Sequence, residues 1–284
     1  METTGERFIP ESMDGQIAAE HLIRYNLVCQ LLDLRGKIVL DIASGSGYGT
    51  HLLAKSAFRA FGVDISQEAV EYSSNRYQRD NLTYLVGSCL DIPLDADNVD
   101  VVVSFETIEH FEDHDRFMSE IQRVLRPGGV LIMSSPNKRL YTDIPQTHNP
   151  YHVHELYTSE FRTMIQSSFT HALFFGQNYL LGSIIYPSDM TDAIQGATVF
   201  DIADGALVQK EHLYDIAIAS NEHIQLYNRS FPLVFDITHT IEPTCHNYFQ
   251  EGYHEGYQKC QSTPSFRLGH ALLHPLSIIR RKKS

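Results

Sequence analysis

Apolar runs that close on acids or small polar residues recur along the first half of the chain, separated by stretches with helical spacing. Ile38, Val39, Leu40 and Ile42 predict a buried parallel strand, and a helix is expected near 48–51, carrying Leu52, Leu53 and Ala54 inward. Further strands are predicted within 59–65 (RAFGVDI), 82–94 (LTYLVGSCLDIPL), 99–111 (VDVVVSFETIEHF) and 123–137 (RVLRPGGVLIMSSPN). In the last of these, Arg-Pro-Gly-Gly reads as a helix stop, because Pro127 cannot continue a helix and glycine suits a left-handed exit. Strands alternating with helices imply βαβ crossovers and a parallel sheet. Beyond it, 158–169 has helical spacing, and 171–177 and 212–220 read as two more strands. The stretch 178–211 is then an insertion, and 221–284 an extension rich in His and Tyr whose architecture the pattern leaves open.

Composition narrows the function classes. A chain of 284 residues, 43% of them hydrophobic, can build a real core, and its net charge of −13 makes nucleic acid a poor partner. Cys29, Cys89, Cys245 and Cys260 show no CxxC pairing, as expected of reduced thiols in the cytoplasm rather than a disulfide framework or zinc site. The opening METTGERFIPESMDG lacks a signal pattern, and no apolar run approaches the roughly 18 residues of a membrane span. A cytoplasmic protein is expected.

The turn after the first strand carries the strongest chemical signal. Gly45, Gly47 and Gly49 let the backbone bend tightly and approach a ligand, and no Gly-Lys-Ser/Thr follows to cradle phosphate. Asp64, at the tip of the second strand and 17 positions after Gly47, is placed to accept hydrogen bonds from both hydroxyls of a ribose; the bland reading, compatible with it, is a cap on the helix starting at Ser66. The order Asp41, Ile42, Ala43, Ser44, Gly45, Ser46, Gly47 resembles the D/E-x-G-x-G-x-G signature of the class I S-adenosylmethionine-dependent methyltransferases, with Ala43 in place of the first glycine. The later landmarks follow in family order over about 100 residues. The resemblance implies α/β architecture: a Rossmann-like methyltransferase fold with a doubly wound, seven-stranded, mostly parallel sheet whose last strand (212–220) is antiparallel. It also implies a methyltransferase domain over 1–220, with an N-terminal cap (1–35), the 178–211 insertion and the C-terminal extension. Cofactor contacts are then expected from Asp41, Ala43, Ser44, Gly45, Gly47, Asp64, Ile65 and Phe105. Ser88 replaces the family's usual acid beside the adenine, with Cys89 and Leu90 flanking the ring.

Methyl transfer to a hydroxyl needs an acceptor held in line and a group to take its proton. Glu106 and Glu109 or His110, three and four apart, would share a helical face beyond the fourth strand, with His110 as general base and Glu109 beside it. Glu-x-x-Glu-His also resembles the metal-binding element of ubiquinone-pathway O-methyltransferases and small-RNA 2′-O-methyltransferases, where a further His follows the fifth strand. His148, His152 and His154 stand in that region, so Glu106, Glu109, His110 and His152 are a candidate set for Mg²⁺ or another divalent ion. In the bland reading, Glu109 and His110 cap the next helix and the later histidines line a loop.

TGERFIPE followed by GQIAAEHLIRYNLV resembles the leader of methyltransferases associated with bacterial surface-polysaccharide synthesis, which points to Arg7, His21, Arg24 and Tyr25. Arg7 or Arg24 is a candidate for the cofactor's methionine carboxylate; alternatively Glu20 and Arg24 form only a surface pair at i, i+4. Arg280, Arg281, Lys282 and Lys283 would suit weak attachment to an anionic membrane at its inner face, or simply a solvated end. These readings converge on an O-methyltransferase acting on a sugar hydroxyl of a surface glycan or its precursor. The rivals are a methyltransferase for small aromatic or polyketide-like hydroxyls and a cofactor-binding interaction protein without catalysis. An RNA 2′-O-methyltransferase is disfavoured by charge. Neither the sugar position nor the oligomeric state is legible.

Overall fold

The computed structural model describes residues 15–179, 183–187, 200–203, 206–209, 211–227 and 233–235. The chain divides into compact units Met1–Asp236 and Ile237–Ser284, and all described residues lie in the first. After helix α1 (Gly15–Leu31) come β1 (Ile38–Ile42), α2 (Tyr48–Ala54), β2 (Arg59–Asp64), α3 (Gln67–Arg76), β3 (Leu82–Val86) and β4 (Val99–Ser104). There follow α4 (His114–Val124), β5 (Leu125–Pro136), α5 (Thr158–Ser168), β6 (His171–Tyr179), β7 (Ser183–Pro187), β8 (Phe200–Ala203), β9 (Ala206–Gln209), β10 (Tyr214–Ser220) and β11 (Leu233–Phe235).

The main sheet runs β11-β7-β6-β10-β5-β4-β1-β2-β3. The seven strands expected from the sequence are present, with β1 through β5 joined in parallel and β10 inserted antiparallel between β5 and β6. Two strands extend it: β7, from the insertion, pairs antiparallel with β6, and β11 pairs with β7. Within the same insertion β8 and β9 form a separate hairpin. The sheet thus continues beyond residue 220.

Helices cover both faces, which is why the central strands read as unbroken apolar runs. Successive side chains of VVV in β4 go to opposite sides: Val101 and Val103 join Ile23, Leu27 and Leu31 of α1, whereas Val102 joins Phe117 and Ile121 of α4 and Phe161 of α5. The Arg-Pro-Gly-Gly motif departs from the expected helix exit. Helix α4 ends at Val124, Leu125 is already extended, and pairing with β4 jumps from Val99–Leu125 to Val101–Val130. The left-handed Gly128 (φ +75°) therefore serves a bulge inside β5, where a strand can absorb extra residues.

Candidate functional site

The strand order reverses between β1 and β4, and the carboxyl ends of β1, β2, β4 and β5 deliver their following loops to one crevice. Beyond β1 the chain turns through Ala43 (φ +58°), Gly45 (+54°) and Gly47 (+79°) before α2 begins at Tyr48. Ala43 thus occupies a left-handed position that explains why glycine suits it better. Asp64, nearly buried, accepts the Gly45 amide at 2.8 Å and the Ser66 amide at 2.9 Å, so one carboxylate ties the turn to the end of β2. The α3 cap is Ser66 itself, whose hydroxyl accepts the Ala69 amide. Ile65 is 76% exposed beside Asp64. Ser88 closes a tight turn, its hydroxyl accepting the Leu90 amide at 3.1 Å. Cys89 and Leu90 are half-buried, and burial pushes the Cys89 thiol up to about 11.

Asp41 lies beneath the turn, buried, accepting the Thr50 hydroxyl at 2.7 Å and, more weakly, the Tyr25 hydroxyl at 3.3 Å. Burial pushes its carboxyl up to about 7 although both hydroxyls favour the charge. Tyr25 also explains Gly49: a methyl group there would stand 1.9 Å from its ring. Phe105, buried, meets Tyr25 edge-on at 5.1 Å, and Ser44 in the turn is buried as well. His21 reaches the Tyr48 hydroxyl at 3.1 Å; burial, helped by Arg24, lowers its pKa to about 3 and keeps it neutral. Arg7 lies outside the described residues, as do the basic C-terminal residues.

Arg24 and Glu20 form no surface pair, because both are buried. Arg24 donates from Nε to Gln177 at 2.7 Å and lies over the Tyr214 ring, while Tyr214 donates its hydroxyl to Glu20 at 3.0 Å. Burial opposes the guanidinium charge, but Glu106, Tyr214 and Glu20 more than offset it and raise the pKa.

The polar cluster after β4 divides in two. Glu106 has φ +50° and is clasped by Ser134, which donates to Oε1 at 2.6 Å and accepts the Glu106 amide at 3.2 Å. Its other oxygen faces Arg24 at 3.7 Å. The shared helical face expected for Glu106 and Glu109 is absent, since only Ile108–His110 form a short 3₁₀ turn. Glu109, His110 and His152 do converge, with one ligand atom from each within 4.8 Å of the others, and Glu106 is not among them. Backbone pairing makes this possible: the Val153 and His154 amides donate to Glu109 O at 2.8 and 3.0 Å, clamping the loop before α5 against the turn after β4. His110 Nδ1 lies 3.0 Å from Tyr151 O, and His152 Nδ1 lies 2.5 Å from Glu155. Each contact orients a ring with Nδ1 as donor and Nε2 as the lone-pair nitrogen. His154 instead stacks on His114, and His148 is exposed. Sequence reasoning missed Glu155, Tyr141, which stacks on His152, and Ser134. Only Glu155 left a signal, three residues after a candidate ligand.

Residues 40–133 match the family described as a methyltransferase domain. A probable S-adenosylmethionine-dependent methyltransferase of Mycolicibacterium smegmatis is 38% identical over 170 residues, covering 58% of this chain and 63% of the relative. A ubiquinone biosynthesis O-methyltransferase of Coxiella burnetii is 31% identical over 140 residues, covering 45% of this chain and 58% of the relative. The chain thus spans about three fifths of the length of such curated relatives. Among solved structures, the YcgJ protein of Bacillus subtilis superimposes with a TM-score of 0.54 at 18% identity over 72% of this chain and 100% of that one. The sheet that carries the matched segment 40–133 therefore has the Rossmann-like fold of methyltransferases, and its relatives in sequence include O-methyltransferases.

Proposed function

We propose that the protein is an S-adenosylmethionine-dependent O-methyltransferase whose acceptor is a sugar hydroxyl of a surface glycan or its precursor. The observation that carries a hydroxyl acceptor is the convergence of Glu109, His110 and His152 beyond β4, at the same sheet end as the Asp64-anchored turn. S-adenosylmethionine, when bound, supplies an electrophilic methyl group. The residues present fit it: Asp64 at the tip of β2 is the acceptor for ribose hydroxyls, and exposed Ile65 with Ser88, Cys89 and Leu90 offers an adenine edge. Asp41 acts from below by holding Tyr25 and Thr50 under the turn. His110 would take the acceptor hydroxyl's proton while the methyl carbon exchanges its bond to sulfur for one to the acceptor oxygen, a role worth about 10²- to 10⁴-fold in rate. The relatives that methylate oxygen support this over nitrogen chemistry. The sugar assignment is supported by the resemblance of the leader TGERFIPE, and a cytoplasmic site near the membrane's inner face would suit lipid-linked glycans. Among the described residues no helix is long and apolar enough to cross a membrane.

Glu109, His110 and His152 would also hold a divalent cation, with Glu155 behind His152. The cation would lower the acceptor hydroxyl's pKa, making His110 a ligand. Chelation separates the two roles: activity lost to EDTA and restored by Mg²⁺ or Mn²⁺ supports the cation, whereas full activity after chelation removes it. The function itself is tested by incubating the protein with methyl-labelled S-adenosylmethionine and bacterial glycan extracts. Label entering carbohydrate supports it. Cofactor binding without transfer to any acceptor would instead support a non-catalytic interaction protein.

A further inference from the structure

Tyr25 is buried, at 6% exposure, and its contacts reach both turns that border the crevice. On the side of β1, its hydroxyl lies 3.3 and 3.4 Å from the two Asp41 oxygens. Burial and the adjacent Asp41 push its pKa well above the ordinary tyrosine value, so the hydroxyl stays protonated and donates. The ring meets Tyr48, the first residue of α2, edge-on at 5.3 Å, and fills the space that a side chain at Gly49 would need. On the side of β4, the same ring meets Phe105 edge-on at 5.1 Å. Phe105 is the first residue after β4 and opens the stretch that ends in Glu109 and His110.

The pairing of the strands gives this position its leverage. The ladder between β1 and β4 ends at Asp41–Val103, and the glycine turn and the 105–110 turn both lie beyond those last paired residues. Tyr25 stands at that point, carried by α1, whose Ile23, Leu27 and Val28 are buried in the same core. Helix α1 is anchored separately: Arg24 donates to Gln177 of β6, and Tyr214 of β10 donates to Glu20. The ring is therefore a fixed seat against which both turns rest. Each edge-on aromatic contact is worth about 0.5–1.5 kcal/mol beyond its buried area, whereas the hydroxyl contact is long and weak. The ring, more than the hydroxyl, holds the spacing.

Methyl transfer is sensitive to such spacing, since a misplacement of about 1 Å at the reacting atoms can cost about 10²-fold in rate. We propose that Tyr25 is a positioning residue: its ring sets the separation between the glycine turn and the turn bearing Glu109 and His110, and thereby the rate of methyl transfer. This rests on the methyltransferase reading above. Tyr25 acts through Gly49 and Phe105, and neither cofactor nor acceptor has to touch it.

The test compares Tyr25→Phe, which keeps the ring, with Tyr25→Leu, which removes it, in the full chain. S-adenosylhomocysteine binding is read by calorimetry, the His110 ring by NMR in that complex, and transfer with labelled S-adenosylmethionine and the glycan extract as acceptor. Tyr25→Leu should bind S-adenosylhomocysteine within threefold of the native protein and shift or broaden the His110 ring signals. Its kcat should fall at least tenfold, with the KM for the extract within threefold. Tyr25→Phe should restore native behaviour in every readout. Gly49→Ala, whose methyl group displaces the ring, should lower kcat in the native background and add nothing in Tyr25→Leu, because effects that pass through one contact are not additive. Should Tyr25→Leu misfold by circular dichroism, Gly49→Ala decides with the same readouts. If the extract accepts no methyl group, binding and the His110 signals decide. Native kcat or unmoved His110 signals in Tyr25→Leu, a tenfold loss of S-adenosylhomocysteine affinity, a change in KM instead of kcat, or no rescue by Tyr25→Phe overturns the proposal. Failure of the native protein to bind S-adenosylhomocysteine would sink the methyltransferase reading instead.

Discussion

Ala43, Asp41 and Gly49 show how the turn is paid for in conformation and charge. Ala43 sits at φ +58°, a left-handed position costing an L-residue about 1–2 kcal/mol, so Ala43→Gly should be neutral or stabilise by up to about 1 kcal/mol in urea denaturation. A loss exceeding 1 kcal/mol would mean the Ala43 methyl group makes an essential contact. Gly49→Ala should cost about 1–3 kcal/mol, because the new carbon falls on the Tyr25 ring. Asp41 gives a pH dependence. Burial raises its folded pKa to about 7, above that of the unfolded chain, so the folded state binds the extra proton. Its contribution is fully present below the unfolded pKa and is lost as pH rises through about 7. Asp41→Asn should flatten that part of the stability profile; an unchanged slope would show that Asp41 ionises normally. The glycine pattern was legible in the sequence because tight turns demand it, and Tyr25 stood out in the leader, but the packing of Tyr25 against Gly49 was not legible. Tyr25 comes from a helix 24 residues earlier, and only the fold brings them together.

The loop at 151–156 and the turn at 105–110 act as one element because Val153 and His154 share the Glu109 carbonyl. That pairing brings His152, the histidine expected in the candidate metal set, beside Glu109 and His110, while His154 stacks on His114. His152→Ala should lower kcat by about 10²-fold or more, an effect comparable to losing a general acid or base, whereas His154→Ala should stay within a fewfold. Equal losses in both variants would contradict that distinction. Glu155→Gln should reduce activity less than His152→Ala while shifting the pH–rate profile, since a carboxylate behind a histidine sets its basicity. Periodicity located the central strands β1, β4 and β5 correctly because their apolar runs are buried on both faces and bounded by turn residues. It misplaced the Arg-Pro-Gly-Gly motif, since a left-handed glycine serves a strand bulge as well as a helix exit. It also placed Glu106 on a helical face, where the positive φ and the Ser134 clasp turn it toward Arg24 instead.

At the scale of the molecule, the seven strands of the fold were foreseeable from alternation and motif order, whereas β7 and β11 were not. Both are short edge strands in segments without a family pattern, and their pairing depends on the exposed edge of β6. In the proposed reading, cofactor recognition and acceptor chemistry fall on the two sides of the point where strand order reverses, so the two functions should separate experimentally. Asp64→Ala should weaken S-adenosylmethionine binding at least tenfold by calorimetry, while His110→Ala should leave binding intact and abolish turnover. The most direct measurement is transfer of labelled methyl from S-adenosylmethionine to a glycan extract, followed by mild alkaline hydrolysis. The account predicts label in carbohydrate that survives alkali, as a methyl ether does, and its loss in both variants. Label released by alkali as from a methyl ester, or none transferred while the cofactor still binds, would contradict it.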